Sequence, residues 1–538
     1  MLRRFLALLL TAALLCGALF ACTPASEAAY LLGDVNGDGS VDARDDHALI
    51  CYLSGRHATI FEENADLSLD GAVTATDSAV LREYLRDVSR PGTRYSSITL
   101  NGTDISQYRI VVPDGADGYP RWAAELLSDS IEALCGVRLS ITESSAKETM
   151  YEILIGFPGR TQSRAENAPE SRTYQIYTDG TKIVLLGADF MVGGGVGYLT
   201  HTLLATDVPW NDVISITVPE NRQARRYESK TPQSAILIIG DGMGENAVRM
   251  ACEPNAIVHD SEGAPVPATA EPVTTFWARQ LPAIGMSTTH NALGNTTDSA
   301  ASATALATGW KTVNGALGMR PDAFLAGDAD SLRSVQNVRE AAALAGRTTA
   351  VLSTDRITGA TPNAFLTHHS YRYDYSILRE QQAALADSPL ACDVLWCDYD
   401  SDDLPGKLRE TVRNLVLNDS GFFLMAEEAM IDKFETKGDY DGTIRAVSRL
   451  NDCVAYAALT AVCHPDVAVV ITADHECGGL TLREDGSFEF TSDGEHTGVP
   501  VPVYAIGGGT ERFHNTTVDN TDIAKFIASI FGAVNFGG

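Results

Sequence analysis

Five short tracts hold residue types able to do chemistry, and most of them sit where an apolar run ends. The run 235–239 ends in Gly240-Asp241-Gly242-Met243-Gly244, a carboxylate between glycines that let backbone and metal approach closely. The run 467–472 ends in Ala473-Asp474-His475-Glu476, where adjacent carboxylate and imidazole suit a hard-to-borderline divalent cation. Glu427 and Asp432 follow the apolar strand Phe422-Phe423-Leu424, and Glu495-His496-Thr497-Gly498 adds an imidazole. The fifth tract, Thr297-Asp298-Ser299-Ala300-Ala301-Ser302-Ala303-Thr304-Ala305, is a serine opening a small-residue helix, where backbone N–H groups favour anions. A serine without base or metal is a poor nucleophile, and no Gly-x-Ser-x-Gly elbow surrounds this one, so metal activation is the natural route. Each tract has a plainer reading alone: a turn aspartate, an N-cap serine, a structural histidine. Several at strand ends together favour metal-assisted chemistry.

The elements that must position these tracts are legible from about residue 231 to the end. Apolar strand runs alternate there with helical periods, the pattern of an α/β layer fold with a mainly parallel sheet. Ligands gather beyond the carboxyl ends of such strands. The chain of 538 residues is too long for one core, so two to four domains are expected. Its formal charge of -30, from 70 acidic against 40 basic side chains, repels polyphosphate backbones and argues against nucleic acid as a partner.

Residues 1–22 read as an export signal: Arg3 and Arg4 precede an apolar stretch, 5–20, too short to span a membrane comfortably. The stretch ends in Leu19-Phe20-Ala21-Cys22, which resembles a bacterial lipobox whose cleavage leaves Cys22 to carry lipid. The alternative is an ordinary secretory peptide cleaved after about Ala28. The chain is thus expected outside the cytoplasm, secreted or lipid-anchored at the cell surface, touching the membrane through the lipid only. Beyond Cys16 and Cys22, eight scattered cysteines show no paired CxxC metal spacing. Cys392 and Cys397 are either a disulfide or two buried thiols.

Residues 30–92 contain a repeat. Asp34, Asn36, Asp38, Asp42 and Asp45, with Ser40 between, are echoed by Asp66, Ser68, Asp70, Thr74 and Asp77, with Ala72 between. Oxygen side chains stand at loop positions one, three, five, nine and twelve, with Gly39 and Gly71 at six, the ligand order of an EF-hand-like calcium loop. An apolar helical run follows each loop. The duplicated pattern resembles a dockerin, which implies bound Ca2+ and a cohesin-bearing scaffold as partner; Ser68 and Thr74 make the second loop the weaker. Residues 97–225 alternate strand-like runs (109–112, 152–155, 182–186) with a helical stretch at 122–134, a small α/β accessory domain with no assigned chemistry. Gly193-Gly194-Gly195 opens a further helical piece there and reads as a tight turn rather than a phosphate loop.

Residues 231–538 resemble the alkaline phosphatase family. The stretch 297–318, TDSAASATALATGWKTVNGALG, is close to a family signature, and the GDGMG, TADH and EHTG tracts occur in the family's order. The resemblance implies a three-layer α/β/α sandwich with a mainly parallel sheet. It implies Ser299 as the nucleophile that becomes phosphoserine and Arg372 as the grip on the phosphoryl oxygens. Asp241, Ser299, Asp474 and His475 would surround one Zn2+, Asp432 and His496 a second, and Asp241, Thr361 and Glu427 a Mg2+. Such cations stabilise attacking and leaving oxygens of an in-line displacement, and an arginine fork matches phosphate geometry. Two positions depart from the pattern. Thr436 stands where the family has a histidine, with Glu435 or water as the substitute and a harder metal as the expected result. Gly359 stands where relatives carry Asp or His near magnesium, which implies a looser site. The short stretch from His475 to His496 implies a more open active site. The expected function is hydrolysis of small phosphate monoesters. The alternatives are a phosphodiesterase of the same superfamily, or an impaired phosphate- or metal-binding scaffold; a sulfatase is disfavoured because the nucleophile position holds Ser, not Cys.

Overall fold

The computed structural model describes residues 34–37, 41, 43–55, 60–67, 72–78, 81–82, 94–160, 169–170, 172–204, 212–220, 222–259, 262–322, 332–386, 388, 390–417, 420–533 and 536–537. The expected export signal with Cys22, and the loop positions Asp38, Ser40, Asp42, Ser68 and Asp70, lie outside them.

Eight strands form the central sheet of the C-terminal region: β1 (Ser234–Gly240), β2 (Ala283–Thr288), β3 (Thr348–Ser353), β4 (Val394–Cys397), β5 (Phe422–Glu428), β6 (Val467–Thr472), β7 (Val501–Ile506) and β8 (Thr517–Asp519). Their spatial order is β4-β3-β5-β1-β6-β7-β2-β8. Only the β6–β7 and β7–β2 pairings are antiparallel. Every residue of β1, β5 and β6 is buried, as continuous apolar runs covered on both faces must be.

Alternation along those strands divides the interior into two layers. Ile236, Ile238, Leu424, Ala426, Val469 and Ile471 pack with helices α1 (Glu245–Cys252), α4 (Leu404–Leu415) and α6 (Tyr440–Cys463). Ala235, Leu237, Ile239, Phe423, Met425 and Val470 pack with α2 (Ser299–Thr308), α3 (Ala360–Leu366) and α7 (Asn520–Ile530). The result is the expected three-layer α/β/α sandwich. Helix α2 is buried at all ten positions because alanine, serine and threonine leave no bulk on any side. Asp298 caps it by accepting from Ala301 N, and Gly309, with φ 72°, ends it in the left-handed conformation that a helix terminus uses.

Ahead of this sandwich stands a second sheet, in the order 141–143, 109–112, 152–155, 182–187, 173–179, 224–226. The helix Tyr119–Cys135 and the helix Gly193–Leu204 accompany it, and its apolar residues run continuously into the α6 layer. The glycine run expected to be a tight turn is instead the first turn of the second helix. A Cβ on Gly193 would stand 2.7 Å from Cys463 Sγ, on Gly194 2.3 Å from the Tyr174 ring, and on Gly195 2.8 Å from a Leu185 methyl. Further along, a Cβ on Gly197 would stand 2.4 Å from the Val462 carbonyl oxygen of α6. Close helix packing, not turn geometry or phosphate binding, requires these glycines.

At the N-terminus the helix Ala43–Leu53 follows the first acidic loop, and Val35, Leu49, Ala65, Leu67 and Leu81 make a small core of their own. Cys392 and Cys397 are both free thiols, so the disulfide is excluded in this structure. No described helix is long and apolar enough to cross a membrane.

Gly197→Val is expected to destabilise the chain by about 1–3 kcal/mol, because the backbone carbonyl it meets cannot yield as a side chain would. A lowered denaturant midpoint at unchanged slope is the check; an unchanged midpoint would show that this helix pair does not pack as described.

Candidate active site

Parallel register brings the strand ends level. Ile239 of β1 pairs with Glu427 of β5 on one side and Thr472 of β6 on the other, and Glu427 pairs with Ser353 of β3. Asp241 and Asp474 each lie two residues past that row, and the helix Met430–Glu435 (α5) carries Asp432 back over it. Asp432 N donates to the Asp241 carbonyl at 2.9 Å, which fixes α5 on the β1 end. Gly242, with φ 81°, leaves no room for a side chain here: a Cβ would stand 2.9 Å from Asp432 Cα.

The side chains converge. Ser299 is the first residue of α2, and its Oγ lies 3.2 Å from His475 Nε2. The same nitrogen is 3.2 Å from Asp474 Oδ2 and 3.5 Å from Asp241 Oδ1. Ligand atoms of Asp241, Asp474 and His475 all fall within 4.8 Å of one another. Those of Asp432, His496 and Cys477 form a second such group. The rings of His475 and His496 stack with centroids 3.5 Å apart, so the two groups adjoin. His496 Nδ1–H donates to the Thr297 carbonyl at 3.0 Å, which turns Nε2 toward Asp432 Oδ1, 3.4 Å away. Asp298 links the remaining pieces: Oδ1 accepts from Ala301 N at 2.9 Å, and Oδ2 accepts from Gly315 N at 3.0 Å and from Arg372 Nη1 at 3.2 Å. Ser299 is therefore not the N-cap; its neighbour Asp298 is, and that cap also holds Arg372.

Glu427 lies inside β5 rather than after it, and Ser353 Oγ donates to its Oε2 at 2.5 Å. Thr361 stands in the first turn of α3, and among the described residues its buried hydroxyl has no hydrogen-bond partner. The next residue, Glu428, points to the opposite face and is neutralised by Arg449 through bonds of 3.0 Å from Nε and Nη2. Among the described residues Glu427 has no such ion pair. Two departures from the family pattern find neighbours here. A Cβ on Gly359 would stand 2.4 Å from Asp355 Oδ2, so the Asp355 carboxylate already occupies that room. The Thr436 hydroxyl lies 3.5 Å from Cys477 Sγ.

The electrostatics test whether divalent cations fit. Among the described residues, Asp241 Oδ1, Asp432 Oδ1, Asp474 Oδ2, Glu427 Oε1 and Glu435 Oε2 are buried without a hydrogen-bond partner. Burial pushes the Asp241 carboxyl well above the usual carboxylate range, and the Asp474 and Asp432 charges push it further. Burial and then Asp355 raise Glu427 to about 8, and burial with Glu476 and Asp432 raises Glu435. Asp432 moves the other way: burial opposes its ionisation, but His496, Lys433 and His475 outweigh it. Burial holds the His475 imidazole below its ordinary value despite Asp474. A crowd of buried oxygens and neutral imidazole, most with unmet bonding capacity, is what a divalent cation satisfies. The residues fit metals.

Reading by sequence passed over Lys433, Asp355 and Cys477. Lys433 Nζ is 3.1 Å from Asp432 Oδ2 and 3.9 Å from Asp241 Oδ2. Its position beside Asp432 is a usable signal; Cys477 is two residues from His475 in Asp474-His475-Glu476-Cys477, without the CxxC spacing that marks a cysteine metal ligand. In the N-terminal loops, Asp45 Oδ1 accepts from Asn36 N at 3.0 Å, so position twelve of the first loop reaches back to position three. Asp77 Oδ2 accepts from Thr74 N at 2.7 Å in the second. Asp34 is buried, and Asn64 Nδ2 donates to its carbonyl at 2.8 Å.

The alkaline phosphatase family profile matches residues 233–393 and 402–492, and the dockerin type I domain profile matches residues 32–86. Alkaline phosphatase 4 of Bacillus subtilis is 27% identical over 325 residues, covering 50% of this chain and 66% of the relative. The repressible alkaline phosphatase of Saccharomyces cerevisiae is 34% identical over 167 residues, covering 31% of this chain and 26% of the relative. The chain thus spans less than two thirds of either relative's length. Among solved structures, alkaline phosphatase from the Antarctic bacterium TAB5 matches 56% of this chain and 99% of its own, with 23% identity and a TM-score of 0.46. By these two matches, residues 233–492 carry an alkaline phosphatase family domain and residues 32–86 a type I dockerin domain.

Proposed function

We propose that the chain hydrolyses phosphate monoesters through a phosphoserine at Ser299. What supports this most is one arrangement: Ser299 Oγ meets the Asp241–Asp474–His475 group, while Asp298, the next residue back, holds Arg372. Zinc held by Asp241, Asp474 and His475 and by Asp432 and His496, with magnesium held by Asp241, Thr361 and Glu427, would neutralise the carboxylates and make the serine and a water nucleophilic near neutral pH. Ser299 Oγ attacks phosphorus and loses its proton to solvent as the P–O bond to the alcohol breaks; the alcohol leaves carrying a proton. Water then attacks the phosphoserine, restoring Ser299 and releasing inorganic phosphate. Arg372 donates to the phosphoryl oxygens through both reactions, and its two-pronged fork favours a monoester, which presents more charged oxygens than a diester.

The dockerin segment serves attachment: Ca2+ held by the first loop, and more weakly by the second, would order the module that a cohesin-bearing scaffold takes up. Export through residues 1–22, with lipid at Cys22 as a second attachment, completes the proposal.

Three outcomes are expected. Ser299→Ala lowers phosphate release from a chromogenic monoester by at least about 10³-fold. Wild-type rates in that variant, or a preference for a diester substrate, would sink this reading. In chelator-treated protein, carboxyls raised by burial are protonated at low pH. Their contribution to stability is complete below the ordinary Glu value, 4.5, and is lost as pH rises through the folded value of Glu427, about 8. The melting temperature of the stripped protein therefore falls between those limits, and added zinc and magnesium abolish the fall; a stripped protein with flat melting across this window contradicts the crowded-carboxylate account. Finally, circular dichroism of the chain gains helix on adding Ca2+ and loses it on chelation if the loops bind calcium, and shows no change if they are plain turns.

A further inference from the structure

We propose that Cys477 is a thiolate ligand of the cation held by Asp432 and His496, completing a half-site of three protein ligands. This rests on the metal-bound reading of the active site and specifies it.

The two-residue strands Glu476–Cys477 and His496–Thr497 pair antiparallel, with Cys477 directly opposite His496. Residues opposite each other in such a pair project to the same face, so the sulfur and the imidazole are placed side by side. Cys477 is fully buried, and its Sγ shares with Asp432 and His496 a cluster whose candidate ligand atoms all lie within 4.8 Å. Asp432 is 5% exposed, and among the described residues no hydrogen bond reaches its buried Oδ1, which His496 Nε2 faces at 3.4 Å as two ligands of one cation would. Thr436, at the position where the family resemblance implies an imidazole, puts its hydroxyl 3.5 Å from the sulfur. A Cβ on Gly494 would stand 2.5 Å from the Thr436 carbonyl, so the turn leading to His496 is pressed against the end of α5. The short threonine and this close turn bring the thiol to the space that a longer side chain at 436 would have entered.

Glu435 is the competing ligand. Its carboxylate is buried and its Oε2 has no hydrogen bond, but it faces Gly242 and feels Glu476, and it does not belong to the Asp432–Cys477–His496 cluster. The chemistry also differs. Carboxylate, imidazole and thiolate together select zinc or cobalt, whereas a carboxylate in place of the thiol would select a harder ion. On this proposal the loss of histidine at 436 leaves the site a zinc site. Binding forms one metal–sulfur bond and releases the thiol proton to solvent.

The test is titration of the chelator-stripped full chain with cobalt(II), read by absorption rather than turnover. A thiolate-to-cobalt charge-transfer band in the near ultraviolet, saturating at one thiolate-bound ion per chain, is expected. Cys477→Ser should lose the band and bind that ion at least about 10-fold more weakly, while Cys453→Ser keeps it. The wild-type band, and its disappearance when a chelator withdraws the cobalt, is a readout that does not depend on any variant folding. Cobalt binding without the band, a band that survives in Cys477→Ser, or a band lost in Glu435→Gln overturns the proposal and leaves the phosphatase reading standing. No cobalt binding at all overturns both.

Discussion

Mutual repulsion among carboxylates buried at the end of one parallel sheet is the constraint on which the rest of the C-terminal region depends. Asp241, Asp432, Asp474, Glu427 and Glu435 are each 5% exposed or less. Two unit charges about 4 Å apart repel by about 4 kcal/mol at an effective dielectric constant near 20. Net stabilities of whole domains are only about 5–15 kcal/mol. A chain that gathered these groups for packing alone would be selecting against its own fold. The arrangement is intelligible when counter-charge is supplied, partly by Lys433 and the imidazoles and otherwise by bound cations.

The sheet makes this gathering achievable. Parallel strands in register deliver their carboxyl ends to one line, so residues distant in sequence meet without long loops. Ser353, Glu427, Ile239 and Thr472 form a row across four strands, with Glu427 in it and Asp241 and Asp474 two residues past it. The two-residue alternation of a strand then sorts neighbours by role. Glu427 faces the cluster and lacks a cationic partner among the described residues, while Glu428, one residue on, faces α6 and is paired with Arg449. Side-chain type alone does not separate them; the face does. Helix α2 adds what a strand end lacks, an N-terminus that opens at the serine, with Asp298 joining its cap to Arg372.

Most of this frame was legible in the sequence because its signals are local. Fully buried parallel strands read as unbroken apolar runs, and Val467–Thr472 was delimited to the residue. The glycines beside Asp241 and the small residues after Ser299 are conformational requirements written in single letters. What the sequence did not disclose depends on distance through space. That Gly193 and Gly197 serve helix packing is set by α6, more than 250 residues on, and no local rule separates such a run from a turn. Glu427 was placed after its strand rather than in it because polar residues at a strand end mask where pairing stops. The calcium loops are the reverse case: their spacing is explicit, but several of their ligands lie outside the described residues.

The departures from the family pattern show how a site tolerates losing a residue. A motif records ligands by position in the chain, whereas a cation requires donors at positions in space. At Gly359 the missing side chain's room holds the Asp355 carboxylate, four residues earlier, folded back by the bond from Asp355 N to Ser353 Oγ at 2.8 Å. At Thr436 the neighbouring donor is the Cys477 sulfur, brought in from another strand. Position by position, both sites look weakened; donor by donor, each retains a candidate at the place where the charge is needed. Inspection of a motif therefore reports too little when substitution occurs inside a buried cluster. The surrounding carboxylates still require neutralising, and any nearby oxygen or sulfur that reaches the same space lowers the energy of the same cation.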